Sequence, residues 1–191
     1  MKSISLNKYR LEETHVFWFI AILWLAFGLE QVLDLNFQLF GILPRSAEGL
    51  VGIITACLIH NDLFHLMGNT IPLFAFGYII VKLEPKNSVV LLMTSYLGVN
   101  ILVWFFARDT TVHLGASGIV YAVFVYIVAA AVFLQDFIRI VAALAIIVFY
   151  STSIEGLFIP DADSSWESHT FGAIIGALNA LYLVGYKHIG K

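Results

Sequence analysis

Apolar residues in this chain fall in long runs broken by short polar clusters, not in the strict alternation of a half-buried strand. Runs of this length read as membrane-crossing helices, which need about 20 mostly apolar residues. The first is expected over 16–33, behind a tail (1–14) that carries Lys2, Lys8 and Arg10. The connection 34–62 is too polar to span, with Asn36, Gln38, Pro44, Arg45, Ser46 and Glu48, yet rich in Leu, Ile and Phe. That mixture suits a segment lying in the membrane interface. Further helices are expected over 63–81, 89–107, from Ser117 or Gly118 to Leu134, over 137–154 and over 169–186. Polar turns separate them at 82–87, 108–115, 135–136 and in an acidic loop, 155–168, with Pro160, Asp161, Asp163 and Glu167. The expected fold is an all-α membrane protein: six transmembrane helices in a bundle with a long interfacial first loop. One domain spans 1–191, with short tails at 1–14 and 187–191.

Composition strengthens this reading. The chain is 60% hydrophobic and 12% charged, where soluble domains carry about 25% charged residues. Its mean hydropathy is +0.91. The net charge of −3 matters less than where the charges lie. Six spans put both termini on one side, together with Lys2, Lys8, Arg10, Lys82, Lys86, Arg139, Lys187 and Lys191, and leave Arg45 and Arg108 on the other. Basic residues favour the cytoplasmic side, so both termini are expected there. Glu30 and Gln31 follow the first run where a cleaved signal would show small residues, so that run is expected to be retained. Cys57 is the sole cysteine, so no intrachain disulfide can form.

Candidate chemistry comes from the polar residues that open three of the helices. His65 and Asn69 open the second, Ser117 the fourth and His169 the sixth, all entering from the outer side and so at one depth. Polar side chains inside a membrane mark function. A serine hydroxyl becomes a useful nucleophile when an imidazole within hydrogen-bond reach takes its proton. Ser117 is thus the candidate nucleophile and His169 the candidate base. The Ser117 N–H, at a helix start, and the side chains of His65 and Asn69, one turn apart, are candidate donors to a developing oxyanion. Tyr121, one turn after Ser117, is placed to pack against the imidazole; Glu167 is assigned to the loop, so a dyad is expected. Gly115 allows a sharp turn before the serine and Gly118 removes a side chain beside it. Gly172 and Gly176 lie below His169 at the spacing that lets membrane helices approach closely; if the partner is the fourth helix, Gly118 and Ala122 are the matching face and the approach brings His169 toward Ser117. His60, His65 and His169 lack a carboxylate or cysteine to join them and no HExxH occurs, so neither a metal nor a cofactor is expected. Other polar residues get structural readings. Ser95 bonds to its own helix, Asn100 is helix glue, and His15, His113 and His188 are interfacial or solvated. Trp18, Trp24, Trp104 and Trp166 pack or anchor at the interface.

Gly115-Ala116-Ser117-Gly118 with Tyr121, His169 with Gly172 and Gly176, and His60, His65 and Asn69 together resemble the rhomboid intramembrane serine proteases of the prokaryotic six-helix type. Each motif alone is weak; their order on these helices is specific. The resemblance implies a Ser117–His169 dyad in a water-filled cavity open to the outside, an oxyanion site from His65, Asn69 and the Ser117 backbone, and His60 as a structural neighbour. It implies substrates that are single-span membrane proteins, cut near the outer end of their transmembrane helix. Access would run past the second and fifth helices, with 161–168 as a cap. The partners implied are transmembrane-helix proteins and the lipid bilayer, not nucleic acid, in a prokaryotic plasma (inner) membrane. One departure stands out: where many rhomboids carry a Trp-Arg pair in the first loop, this chain reads Glu48-Gly49-Leu50-Val51-Gly52. The alternatives are a non-catalytic rhomboid-like protein that binds transmembrane clients, which usually lacks the serine or the histidine, and a small transporter, which would show two related halves. Nothing in the pattern speaks to oligomeric state.

Overall fold

The computed structural model describes residues 6–151 and 165–189. They form α1 (Leu6–Leu33), the single turn α2 (Gly52–Thr55), α3 (Leu63–Leu83), α4 (Ser88–Phe106), α5 (Ser117–Leu134), α6 (Phe137–Phe149) and α7 (Trp166–Ile189). Short 3-10 turns at Phe37–Phe40, Glu48–Leu50 and Ala56–Leu58 fill the first connection. Among the described residues, five segments are long and apolar enough to cross a membrane: Thr14–Leu33, Leu63–Leu83, Ser88–Phe106, Ser117–Leu134 and Trp166–Gly185. At 13 residues, α6 is shorter. Exposed side chains such as Phe64 (87%), Phe149 (87%) and Val32 (81%) are tolerable only against lipid. The chain is an all-helical integral membrane protein.

Burial sets the layout. In α5, 61% of the spanning window is buried, against 11% in α1, so α5 is the axis and α1 a peripheral strut. Helices α3, α4, α6 and α7 all pack on α5, and α7 does so most extensively. The cause is a seam of small residues. A Cβ on Gly172 would strike the Gly118 carbonyl and lie 3.2 Å from the Ala122 nitrogen. One on Gly176 would strike the Ala122 carbonyl and lie 3.0 Å from the Tyr126 nitrogen. The two helices therefore touch main chain to main chain, as the glycine spacing predicts.

Helix ends follow local chemistry. The side chains of Asp62 and Asp136 accept the N–H groups of His65 (2.8 Å) and Arg139 (3.0 Å), capping α3 and α6. Three ends differ from expectation. Helix α1 starts at Leu6, well before residue 16. Helix α6 stops at Phe149, because Tyr150 leaves helical geometry (ψ 12°) and turns its ring onto Phe76 and Phe124. Helix α7 starts at Trp166, so Glu167 is helical, not part of a loop. The remainder of the expected fifth helix and most of the acidic loop, including Pro160, Asp161 and Asp163, lie outside the described residues.

The first loop is anchored without a Trp-Arg pair. Ile42 and His113 exchange backbone hydrogen bonds at 2.8 Å each way, and the Gly115 N–H reaches Ala56 O (2.9 Å). Arg45 Nη1 donates to Ala107 O (2.7 Å), Trp104 Nε1 to Ser46 O (3.1 Å) and Asn100 Nδ2 to Ile53 O (2.9 Å); the Tyr96 hydroxyl donates to Ile54 O. Asn100 thus ties α4 to the loop instead of serving only its own helix, while Ser95 bonds to Leu91 O (2.7 Å) as expected. Gly49 and Gly52 replace bulk with contact: a Cβ on either would strike the backbone of 41–43. At the opposite end of the molecule, Arg139 forms a buried ion pair with Glu84 and donates to Leu83 O (3.1 Å), fixing the start of α6 to the end of α3.

Candidate active site

The starts of α3, α5 and α7 and the loop 107–116 surround a cavity of about 500 Å³. His65, Asn69, Ser117, Tyr121 and His169 all line it, so the three helix starts meet around one cavity. Ser117 Oγ lies 2.9 Å from His169 Nε2. The Tyr121 ring stacks on the imidazole with centroids 4.3 Å apart and planes at 29°, which limits its rotation. Ala116, wholly buried, places its carbonyl to accept the N–H groups of Ile119 (3.0 Å) and Val120 (3.2 Å), so the Ser117 N–H belongs to the unpaired first turn of α5.

Gly115 makes the turn into that helix at φ +98°, a conformation costly for any residue with a side chain. A Cβ there would also intrude on the site, 2.7 Å from His65 Nε2 and 3.6 Å from Asn69 Nδ2. Asn69 is buried, and its Nδ2 has no acceptor among the described residues. A buried donor without a partner costs free energy, and such groups persist where a ligand or water takes the bond. His60, outside the spans and buried, sets its ring edge-on to His65 at 5.0 Å. Burial, helped by the neighbouring His65, lowers its pKa to about 4, so it is a neutral packing partner near pH 7.

One histidine departs from expectation. His113 is 2% exposed and lines the cavity instead of facing solvent. Its Nε2 lies 3.0 Å from the Arg108 carbonyl and its Nδ1 2.6 Å from Ser165 Oγ. The Arg108 guanidinium pairs in turn with buried Glu167, Nε to Oε1 at 3.4 Å. The apolar neighbours Val112 and Leu114 and the position four residues before Ser117 were the available signals for His113. Tyr150 also reaches the cavity, which nothing in its own stretch of sequence foretells. Among the described residues no group of three or more His, Cys, Asp or Glu side chains is arranged to hold a metal ion.

Chemically, the cavity combines a hydroxyl bonded to an imidazole with nearby hydrogen-bond donors, the parts that acyl transfer requires. A family model described as the rhomboid domain matches residues 47–186. An uncharacterized protein of Mycobacterium bovis and another of Mycobacterium tuberculosis are each similar to this chain, 26% identical over 178 residues that cover 89% of it and 74% of the relative. An uncharacterized protein of Mycobacterium leprae is 23% identical over 180 residues, covering 86% of this chain and 68% of the relative. The match to the family model runs from the first loop through the glycine seam of α7, and the chain belongs to the rhomboid family.

Proposed function

We propose that the protein is an intramembrane serine endopeptidase that cuts transmembrane segments of membrane proteins near the outer face, using Ser117 and His169 as a catalytic dyad. The observation that carries this reading is the 2.9 Å contact between Ser117 Oγ and His169 Nε2 inside a polar cavity of a membrane protein. His169 Nε2 takes the hydroxyl proton as Oγ attacks the scissile carbonyl, then returns it to the leaving amine. The Ser117 N–H, His65 and the unpartnered Asn69 Nδ2 stabilise the oxyanion. Water then hydrolyses the acyl-enzyme by the same proton transfers in reverse roles.

The wider arrangement follows from the same reading. One domain, 1–191, forms a six-helix bundle in which α6 is counted as a span, in a prokaryotic plasma (inner) membrane. Both termini are cytoplasmic, as the placement of basic residues favours, and the cavity opens outward. Its partners are transmembrane-helix substrates and the bilayer.

The test is labelling by a fluorophosphonate probe, together with cleavage of a transmembrane reporter in proteoliposomes. Wild-type protein is expected to be labelled and to cleave; Ser117→Ala abolishes both, and His169→Ala abolishes cleavage. Labelling that survives Ser117→Ala refutes the assignment. A folded wild type that neither labels nor cleaves, yet retains transmembrane clients, identifies a non-catalytic rhomboid-like protein instead.

A further inference from the structure

The described chain holds a second serine–histidine contact beside the first. His113 precedes Ser117 by four residues and Ser165 precedes His169 by four, and the two pairs bridge the same two segments. His113 Nδ1 lies 2.6 Å from Ser165 Oγ; His169 Nε2 lies 2.9 Å from Ser117 Oγ. The tautomer of His113 follows from its other partner. A carbonyl oxygen only accepts, so the Nε2 at 3.0 Å from Arg108 O carries the proton, and Nδ1 is left to accept from the Ser165 hydroxyl. The His113 backbone is itself pinned to Ile42 by two bonds of 2.8 Å. The imidazole therefore projects from a fixed support onto the residue that immediately precedes α7.

The lower part of α7 is set by Gly172 against Gly118. Above that contact the first turn of α7 meets α5 through Ser168, where a Cβ on Gly118 would lie 3.1 Å from Ser168 O, and through His169 on Tyr121. Its outer end is the part left for the loop to hold, and His169 rides on the same turn. Ser165 lies about 10 Å above Gly172 and His169 about 5 Å, at about 1.5 Å per residue. A drift of about 2 Å at Ser165 thus carries His169 by about 1 Å, enough to break its contact with Ser117. Arg108 also links the loop 107–116 to this turn: its N–H and Nε each reach Glu167 Oε1 at 3.4 Å, long for a hydrogen bond.

We infer that His113 and Ser165 are positioning residues, an outer clamp that holds the first turn of α7 so that His169 stays aligned on Ser117. The inference rests on the dyad reading above, and touches neither substrate nor reacting atoms.

Ser165→Ala, Ser165→Thr, His113→Phe and the Ser165→Ala/His113→Phe double variant separate the possibilities. Each is measured for kcat and KM on a reconstituted reporter, for fluorophosphonate labelling rate, and for thermal unfolding in detergent. Loss of one buried hydrogen bond amounts to about a tenfold effect. Ser165→Ala is expected to lower kcat and labelling rate together by about tenfold with KM unchanged, and Ser165→Thr to restore both. The double variant is expected to be no worse than His113→Phe alone, because both remove one contact. A rise in KM with kcat unchanged would make Ser165 a substrate contact and overturn the inference. So would unchanged kcat and labelling, additive losses, or a fall in unfolding temperature with full activity per folded molecule. A readout independent of activity comes from 15N-labelled histidine NMR. Ser165→Ala is expected to shift the His169 Nε2 signal in the direction that Ser117→Ala shifts it. If that signal moves in a protein that never labels or cleaves, the function reading fails and the clamp stands; if it does not move, the clamp fails.

Discussion

Substitution of Gly172 tests whether main-chain contact between α5 and α7 sets the distance across the dyad. A Cβ at this position would overlap the Gly118 carbonyl and crowd the Ala122 nitrogen and the Gly118 carbonyl carbon, each 3.2 Å away. All three belong to backbone, which has no rotamer to escape into. The helices must separate by about 1 Å, and overpacking of this kind costs about 1–3 kcal/mol. His169 sits one turn above on the same helix, and its 2.9 Å contact with Ser117 would open by a similar distance. Displacement of about 1 Å in a reacting pair lowers rates by about a hundredfold. Gly172→Ala is therefore expected to reduce kcat by about a hundredfold, and Gly172→Val by more. Gly185→Ala, on the same helix but with nothing within 4 Å of its Cβ, is expected to keep full activity. Reporter cleavage in proteoliposomes, normalised to folded protein by thermal unfolding, reads the effect. A fully active Gly172→Val protein would refute the packing argument.

Three more outcomes follow from other parts of the structure. Asn69→Ala removes the unpartnered buried donor and is expected to lower kcat by about 10²- to 10³-fold with little change in unfolding temperature; an unaltered kcat removes Asn69 from the oxyanion site. Burial lowers the His60 pKa from 6.5 to about 4, so the unfolded chain binds a proton that the native state refuses. Stability from this source is complete above about pH 6.5 and is lost as pH falls towards 4; denaturant titrations between those limits should show the slope, and His60→Phe should flatten it. Arg139→Ala strands buried Glu84 without its counter-charge, an error that costs about 3–5 kcal/mol. Unfolding of the variant at the wild-type temperature would show the pair to be idle, whereas adding Glu84→Gln should restore part of the loss.

The starts of α3 and α5 were readable because each is marked locally: Asp62 caps α3, and Gly115 and Gly118 bracket Ser117; that of α7 was not, for the polar run ending at His169 is itself the helix's first turn, from Trp166. The glycine seam was readable too, since three- and four-residue spacings name a face, and Gly118 and Ala122 offered a small-residue face for Gly172 and Gly176 to meet. What escaped was whatever depended on distant segments. His113 looks like any loop histidine until Ile42 fixes its backbone and Ser165 meets its ring. Glu167 followed a run of loop residues, and its pairing with Arg108, with the favourable end of the α7 dipole beside it, explains why a carboxylate is tolerated, buried, in the first turn of α7. The end of α6 was set by the contacts of Tyr150 with rings on α3 and α5, which no pattern within 137–154 encodes.

The anchors of the first loop share a property with consequences for how this chain can vary. Arg45 grips Phe105 O and Ala107 O, and Trp104, Asn100 and Tyr96 grip the carbonyls of Ser46, Ile53 and Ile54. A carbonyl is present whatever the side chain. Leu50, Val51 and Ile54, between 44% and 57% exposed, are therefore answerable to the surrounding lipid alone. They can drift with the thickness or composition of a host membrane while the loop keeps its place against α4 and the segment that leads into α5. The same property lets one set of side-chain hooks replace another, so the loop holds without the Trp-Arg pair.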